Sequence, residues 1–226
     1  MWIENNPKIF ISAPFGNYIK SSLTIPVTGT FTLHPRGNRL WSVLKTLRYD
    51  RRLGGWVNKL GLPNPGLRAG LERHIRGEVL SIAETKRGDF QKMNNIIPLN
   101  QSLEINFSCP NLGKKLPLDG ASIFTKVKSR KWCIAKLSPL TDFSNTLPLP
   151  NNKGGLSGAT LKPYTLELIE LVRERWGDSV TVIAGGGVSD FSGVMEYLLA
   201  GANHVSIGSV CFNPFKLRKL LRSLEI

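Results

Sequence analysis

The densest set of reactive side chains is Glu104-Ile105-Asn106-Phe107-Ser108-Cys109-Pro110-Asn111. Strand alternation sends Glu104, Asn106 and Ser108 to one face and Leu103, Ile105 and Phe107 to the other. Cys109 stands where Pro110 closes the strand. Two carboxamides, Asn106 and Asn111, flank this thiol and suit the carbonyls and amides of a planar substrate. The thiol acts as base or nucleophile if its pKa falls from about 8.5. A lone cysteine otherwise packs as a small hydrophobe. Lys136 interrupts the apolar run Trp132-Cys133-Ile134-Ala135-Lys136-Leu137. An ammonium there needs a partner, because burying it alone is expensive. The partner is either an anionic or electron-rich ligand, the stronger reading, or Glu104 on the neighbouring strand.

Glycines form the second chemical signal. Gly185-Gly186-Gly187 and Gly208-Ser209 each follow an expected strand and precede a helix, and Gly154-Gly155-Leu156-Ser157-Gly158 is a third cluster. Phosphate binding needs backbone amides at close range, and glycine lets the chain approach. The plainer reading is that the glycines turn strand into helix. Asn58 falls in the turn-rich stretch 56–66, where asparagine ordinarily forms turns, so its position alone assigns no function. The three histidines show no metal spacing, and no serine sits in a nucleophile elbow.

The elements that must position these residues are clearest in the last third. Pro163 opens a helix that runs to Gly177; a β-branched strand over 179–184 follows; a helix capped by Ser189 or Asp190 stops at Gly201. A strand over 204–208 leads to a final helix opened by Asn213-Pro214. Strands are also expected over 9–13, 24–31, 78–83, 103–107 and 133–137, making seven. Alternation of strand and helix with short links means parallel strands and an α/β fold. In such folds ligands bind beyond the carboxyl ends of the strands. A closed eight-stranded barrel needs one strand more, and neither 13–24 nor 137–154 has room for a full crossover. The expectation is an abbreviated TIM-type (β/α) barrel in a single domain over 1–226.

The 226 residues include 30 Lys+Arg against 16 Asp+Glu, a net charge of +14, with 41% apolar residues. That apolar share excludes a disordered chain. The charge attracts anions, and its runs at 48–52, 126–131 and 216–222 read as solvated helix faces or as a nucleic-acid surface. Cys109, Cys133 and Cys211 make neither a disulfide framework nor a metal pattern. With no apolar run of about 20 residues and no secretory-signal order at the start, the expected location is the cytoplasm.

Taken together, these motifs resemble the dihydroorotate dehydrogenases, FMN-dependent barrel enzymes of pyrimidine synthesis. The matches are 58–64, 104–111, Ala135-Lys136-Leu137-Ser138-Pro139, Asn145-Thr146-Leu147-Pro148, the cluster at 154–158 through Lys162-Pro163, and both C-terminal glycine turns, all in the family's order. The resemblance implies FMN with its phosphate on Gly155, Gly185, Gly186, Gly208 and Ser209, and Lys136 at the isoalloxazine. It implies a pyrimidine held by Asn58, Asn106, Asn111, Asn145 and Thr146, and Cys109 as the base that deprotonates dihydroorotate while a hydride passes to the flavin. Cysteine at that place is similar to the soluble class 1 branch. The family usually carries a lysine just ahead of 29–33, where this chain has Gly29; Lys59 and Lys20 are the available substitutes.

Two other readings belong beside this one. A tRNA dihydrouridine synthase also pairs an FMN barrel with a cysteine and would use the charge. A non-enzymatic barrel would serve as a binding or assembly subunit. A small-molecule substrate, with a homodimer as a further possibility and no membrane span, completes the expected partners.

Overall fold

Short apolar, β-branched runs separated by turn residues favour strands over helices. The computed structural model describes residues 7–37, 46–58, 61–107, 122–137 and 155–225. Its strands are β1 (Ile9–Ile11), β2 (Thr24–Phe31), β3 (Arg48–Asp50), β4 (Gly55–Asn58), β5 (Val79–Ile82), β6 (Leu103–Asn106), β7 (Cys133–Lys136), β8 (Gly155–Ser157), β9 (Ile183–Gly185) and β10 (His204–Ile207). The helices are α1 (Leu67–Glu72), α2 (Asp89–Asn94), α3 (Ser122–Thr125), α4 (Lys162–Trp176), α5 (Phe191–Leu199) and α6 (Pro214–Ser223).

All seven expected strands join one sheet in the order β7-β6-β5-β2-β1-β10-β9, with every neighbouring pair parallel. The chain's last two strands lie next to its first. Among the described residues that makes seven parallel strands in one sheet, one fewer than a closed (β/α) barrel has, as the abbreviated barrel requires. A second sheet, β3-β4-β8, was not expected from the sequence.

The chain forms two compact units: Met1–Pro26, Tyr49–Trp56 and Leu156–Ile226 in the first, Val27–Arg48 and Val57–Gly155 in the second. The first packs β1, β9 and β10 against α4, α5 and α6 through a core that includes Ile9, Ile11, Ile169, Val194, Val205 and Leu220. Its helix ends follow the expected chemistry. The Asp190 side chain accepts from the Gly193 amide at 2.9 Å and starts α5, which is the reason its carboxyl lies below the ordinary range. Asn213 caps α6 at the Lys216 amide at 3.0 Å, with Pro214 at the first helical position. Gly177 and Gly201 close α4 and α5 at φ of 54° and 110°.

The expected strand over 179–184 begins later, at Ile183. A side-chain clamp explains the difference. Arg173, near the end of α4, donates to the carbonyls of Gly177, Val180 and Gly201 and to Asn203 Oδ1, and Asn203 Oδ1 also accepts from the Val182 amide. The polypeptide is thereby held by guanidinium and carboxamide before the ladder takes over.

The second unit packs β5 and β6 against α1, α2 and α3 around Phe31, Leu67, Leu80, Phe90, Leu103 and Phe124. Leu103 and Ile105 enter this core while Glu104 and Asn106 face the other way, as alternation requires. The basic run at 126–131 is exposed at Lys126, Lys128 and Lys131, yet Arg130 is buried. Its Nη1 donates to the carbonyls of Pro98 (3.0 Å) and Gln101 (2.6 Å), so this one charge is structural.

Candidate active site

In the second unit, four adjacent parallel strands each contribute a polar residue to one connected row. Glu104 on β6 stands in register with Ser81 on β5, and Asn106 in register with Lys136 on β7. Ser81 Oγ donates to Glu104 Oε1 at 2.7 Å, and Thr30 on β2 shares a 2.9 Å hydrogen bond with Ser81. Asn106 Nδ2 donates to Thr30 Oγ1 at 3.0 Å. Lys136 Nζ lies 3.7 Å from the same Glu104 oxygen. Thus two sequence-predicted residues, Asn106 and Lys136, meet in one network. Thr30 and Ser81, buried hydroxyls within strands, were missed, because a hydroxyl, unlike the Lys136 ammonium, is common in strands.

Lys136 was read chiefly toward a ligand, and Glu104 supplies the protein partner that was the alternative. The lysine side chain keeps 31% of its exposure, whereas Glu104 keeps 8%, so the carboxylate is the buried anchor and the ammonium the accessible end.

Gly29 is the residue found where the resemblance implies a lysine. It has φ of +107°, and a Cβ there would come 2.6 Å from the Ser81 carbonyl oxygen. The β2–β5 register shifts between Thr28 and Phe31, so the backbone crowds β5 at this residue and excludes any side chain.

Asn58 was expected in a turn and instead ends strand β4, where Nδ2 donates to the Gly155 carbonyl on β8 at 3.4 Å. The β3-β4-β8 sheet is the cause: it draws both residues into extended pairing. Asn58 and Gly155 are therefore brought together. Cys109, Asn111, Asn145 and Thr146 lie outside the described residues, as do Ser108, Lys59 and Gly154.

In the first unit, Gly185 on β9 stands opposite Ser206 on β10, so Gly185-Gly186-Gly187 and Gly208-Ser209 lie side by side at the carboxyl ends of parallel neighbours. Gly186 and Gly187 have φ of +116° and +80°. A Cβ at Gly187 would come 3.1 Å from Ala159 Cα and the Gly158 carbonyl, so the Gly185–Gly187 turn rests directly on the third cluster. Thr165 Oγ1 donates to the Gly185 carbonyl at 3.1 Å, and Tyr197, its phenol pushed up by burial, donates to the Gly186 carbonyl. Ser12 at the end of β1 shares a 2.7 Å hydrogen bond with Ser206. The Thr165 and Tyr197 hydroxyls fix the loop by its carbonyls, while Ser12 ties β1 to β10, signals invisible without the fold.

The loops suit a phosphate group. Asp190 occupies the start of α5 with its own carboxylate, whereas the 3-10 turn over Ser209–Phe212 begins at Gly208 with no side-chain cap. The donor groups there are main-chain amides and the Ser209 hydroxyl, both appropriate to an anion.

The family profile described as dihydroorotate dehydrogenase matches residues 139–225. The catalytic subunit of the NAD(+) dihydroorotate dehydrogenase B of Endomicrobium trichonymphae is 30% identical over 275 residues, covering 97% of this chain and 87% of that protein. That alignment is longer than the 226-residue chain, so the relative carries segments this chain lacks. The putative dihydroorotate dehydrogenase A (fumarate) of Aquifex aeolicus is 25% identical, covering 97% of this chain and 89% of its own. The solved DHODH of Eimeria tenella in complex with ferulenol shares the fold at a TM-score of 0.72 and 20% identity, covering 96% of this chain and 80% of that one. Similarity sustained over nearly the whole length, on a strand order that differs from a closed barrel by one place, leaves a single assignment: the chain belongs to the dihydroorotate dehydrogenase family.

Proposed function

We propose that this protein oxidises dihydroorotate to orotate in pyrimidine biosynthesis, with FMN as its resident cofactor. The carrying observation is the network that joins Asn106 and Lys136 through Glu104, found in a chain aligned over 97% of its length with a dihydroorotate dehydrogenase catalytic subunit. Bound FMN would supply the acceptor for the hydride that leaves dihydroorotate.

The chain's own residues do the rest. Gly185, Gly186, Gly208 and Ser209 offer main-chain amides and a hydroxyl to the phosphate, with Gly155 assigned to the same cofactor by its motif. Lys136 presents an ammonium anchored from below by Glu104 and is assigned to the ring. Asn106 is held with its nitrogen toward Thr30, which fixes the plane of a carboxamide assigned to the pyrimidine. Asn58, Asn111, Asn145 and Thr146 are assigned to the pyrimidine on their motifs. Cys109 takes the proton at its Sγ, as a base that need be ionised only part of the time.

The test is anaerobic. Protein loaded with FMN should bleach when dihydroorotate is added. Cys109→Ala should keep its flavin and lose roughly 10²-fold or more of the reduction rate, the usual contribution of a positioned base. Unchanged reduction in that variant removes the cysteine from the reaction. Failure of wild-type protein to bleach removes dihydroorotate as the substrate.

A further inference from the structure

We propose that Glu104 is a positioning residue: a buried carboxylate that orders a one-way chain of hydrogen bonds across four strands and so fixes both the Lys136 ammonium and the Asn106 carboxamide. The proposal deepens the flavoenzyme reading and rests on it.

The direction of the chain follows from donor inventory. A carboxylate only accepts, so the Ser81 hydroxyl spends its single hydrogen on Glu104 Oε1. Ser81 must then accept in its contact with Thr30, which makes Thr30 the donor at 2.9 Å. Thr30 Oγ1 in turn accepts from Asn106 Nδ2. Every hydrogen points toward Glu104. An amide is planar, so committing its nitrogen to Thr30 turns its oxygen to the opposite side and excludes the flipped orientation.

The same Glu104 oxygen faces Lys136 Nζ at 3.7 Å, so one atom serves both arms. Exposure separates the roles. Ser81, Glu104 and Thr30 are all buried, so these three stand behind the accessible members of the row. Lys136, the accessible member, and Asn106, its partner in register, are the two that reach outward. Buried chains of this kind polarise along their length and lock rotamers that a single contact would leave loose.

The experiment titrates apo-protein with FMN by flavin fluorescence, then FMN-loaded protein with orotate by the change in the flavin absorption band. Four proteins are compared: wild type, Glu104→Gln, Lys136→Met and the double variant, each checked for folding by circular dichroism. Glu104→Gln should weaken FMN binding about tenfold in the wild-type background and less than about twofold in the Lys136→Met background, because residues in one network are non-additive. Equal weakening in both backgrounds, or none in the first, overturns the proposal. If Glu104→Gln does not fold, Ser81→Ala carries the test, since it cuts the Asn106 arm and spares the ion pair. It should leave FMN affinity within about twofold while weakening orotate about fivefold, the size of one lost hydrogen bond. Unchanged orotate affinity then overturns the proposal. Absence of FMN binding by the wild type overturns the flavoenzyme reading and this inference with it, a result distinct from FMN binding that Glu104 does not influence.

Discussion

Gly29 shows how one backbone position constrains the chemistry around it. With φ of +107° and the Ser81 carbonyl where a Cβ would lie, any side chain there is both strained and clashing. Gly29→Lys, which places there the residue type the resemblance implies, should therefore destabilise by about 2 kcal/mol or more and lower Tm by roughly 5 °C for a chain of this length. A melt indistinguishable from wild type would mean the strand relaxes freely. Residue types and spacing made Asn106, Lys136 and the glycine turns legible, because a polar group inside an apolar run needs a partner. They left Thr30, Ser81, Ser12 and Tyr197 unread, since hydroxyls are common in strands and acquire meaning only from what faces them.

Among the elements, β10 begins with a pH-sensitive tie. His204 Nδ1 accepts from the Lys8 amide at 3.1 Å, which requires that nitrogen to be unprotonated. Burial holds the imidazole below its ordinary value, opposed by a hydrogen bond the ring donates to the Asn203 backbone carbonyl and reinforced by the nearby Lys8 charge. A group with a depressed folded pKa lets the unfolded chain take up the proton first. The contribution to stability is then complete above the unfolded value of about 6.5 and is lost as pH falls below it. Thermal melts should show Tm dropping between pH 7 and pH 5, and His204→Asn, whose side-chain oxygen can accept from Lys8, should flatten that drop. An identical slope in the variant would assign the acid sensitivity elsewhere. At this scale all seven strands of the large sheet were readable, as were α4, α5 and α6 with their caps, because periodicity and capping residues are local signals. The β3-β4-β8 sheet and the late start of β9 were not, since the first depends on pairing between distant segments and the second on the Arg173 clamp.

For the whole molecule, the order of the large sheet sets where it is weakest. β5 is an interior strand buried at all four positions, whereas β7 is a terminal strand with Cys133 and Ala135 exposed. Hydrogen exchange should protect β5 amides to near the global unfolding limit and release those of β7 first; equal protection would mean the terminal strand is covered. The same order carries a consequence for synthesis. Ile9 and Ile11 belong to a core whose other members begin at Ile169, whereas the second core draws its members from Phe31 to Phe124. A ribosome therefore releases everything the second core needs while β1, paired early with β2, still awaits its other neighbour β10, some two hundred codons downstream.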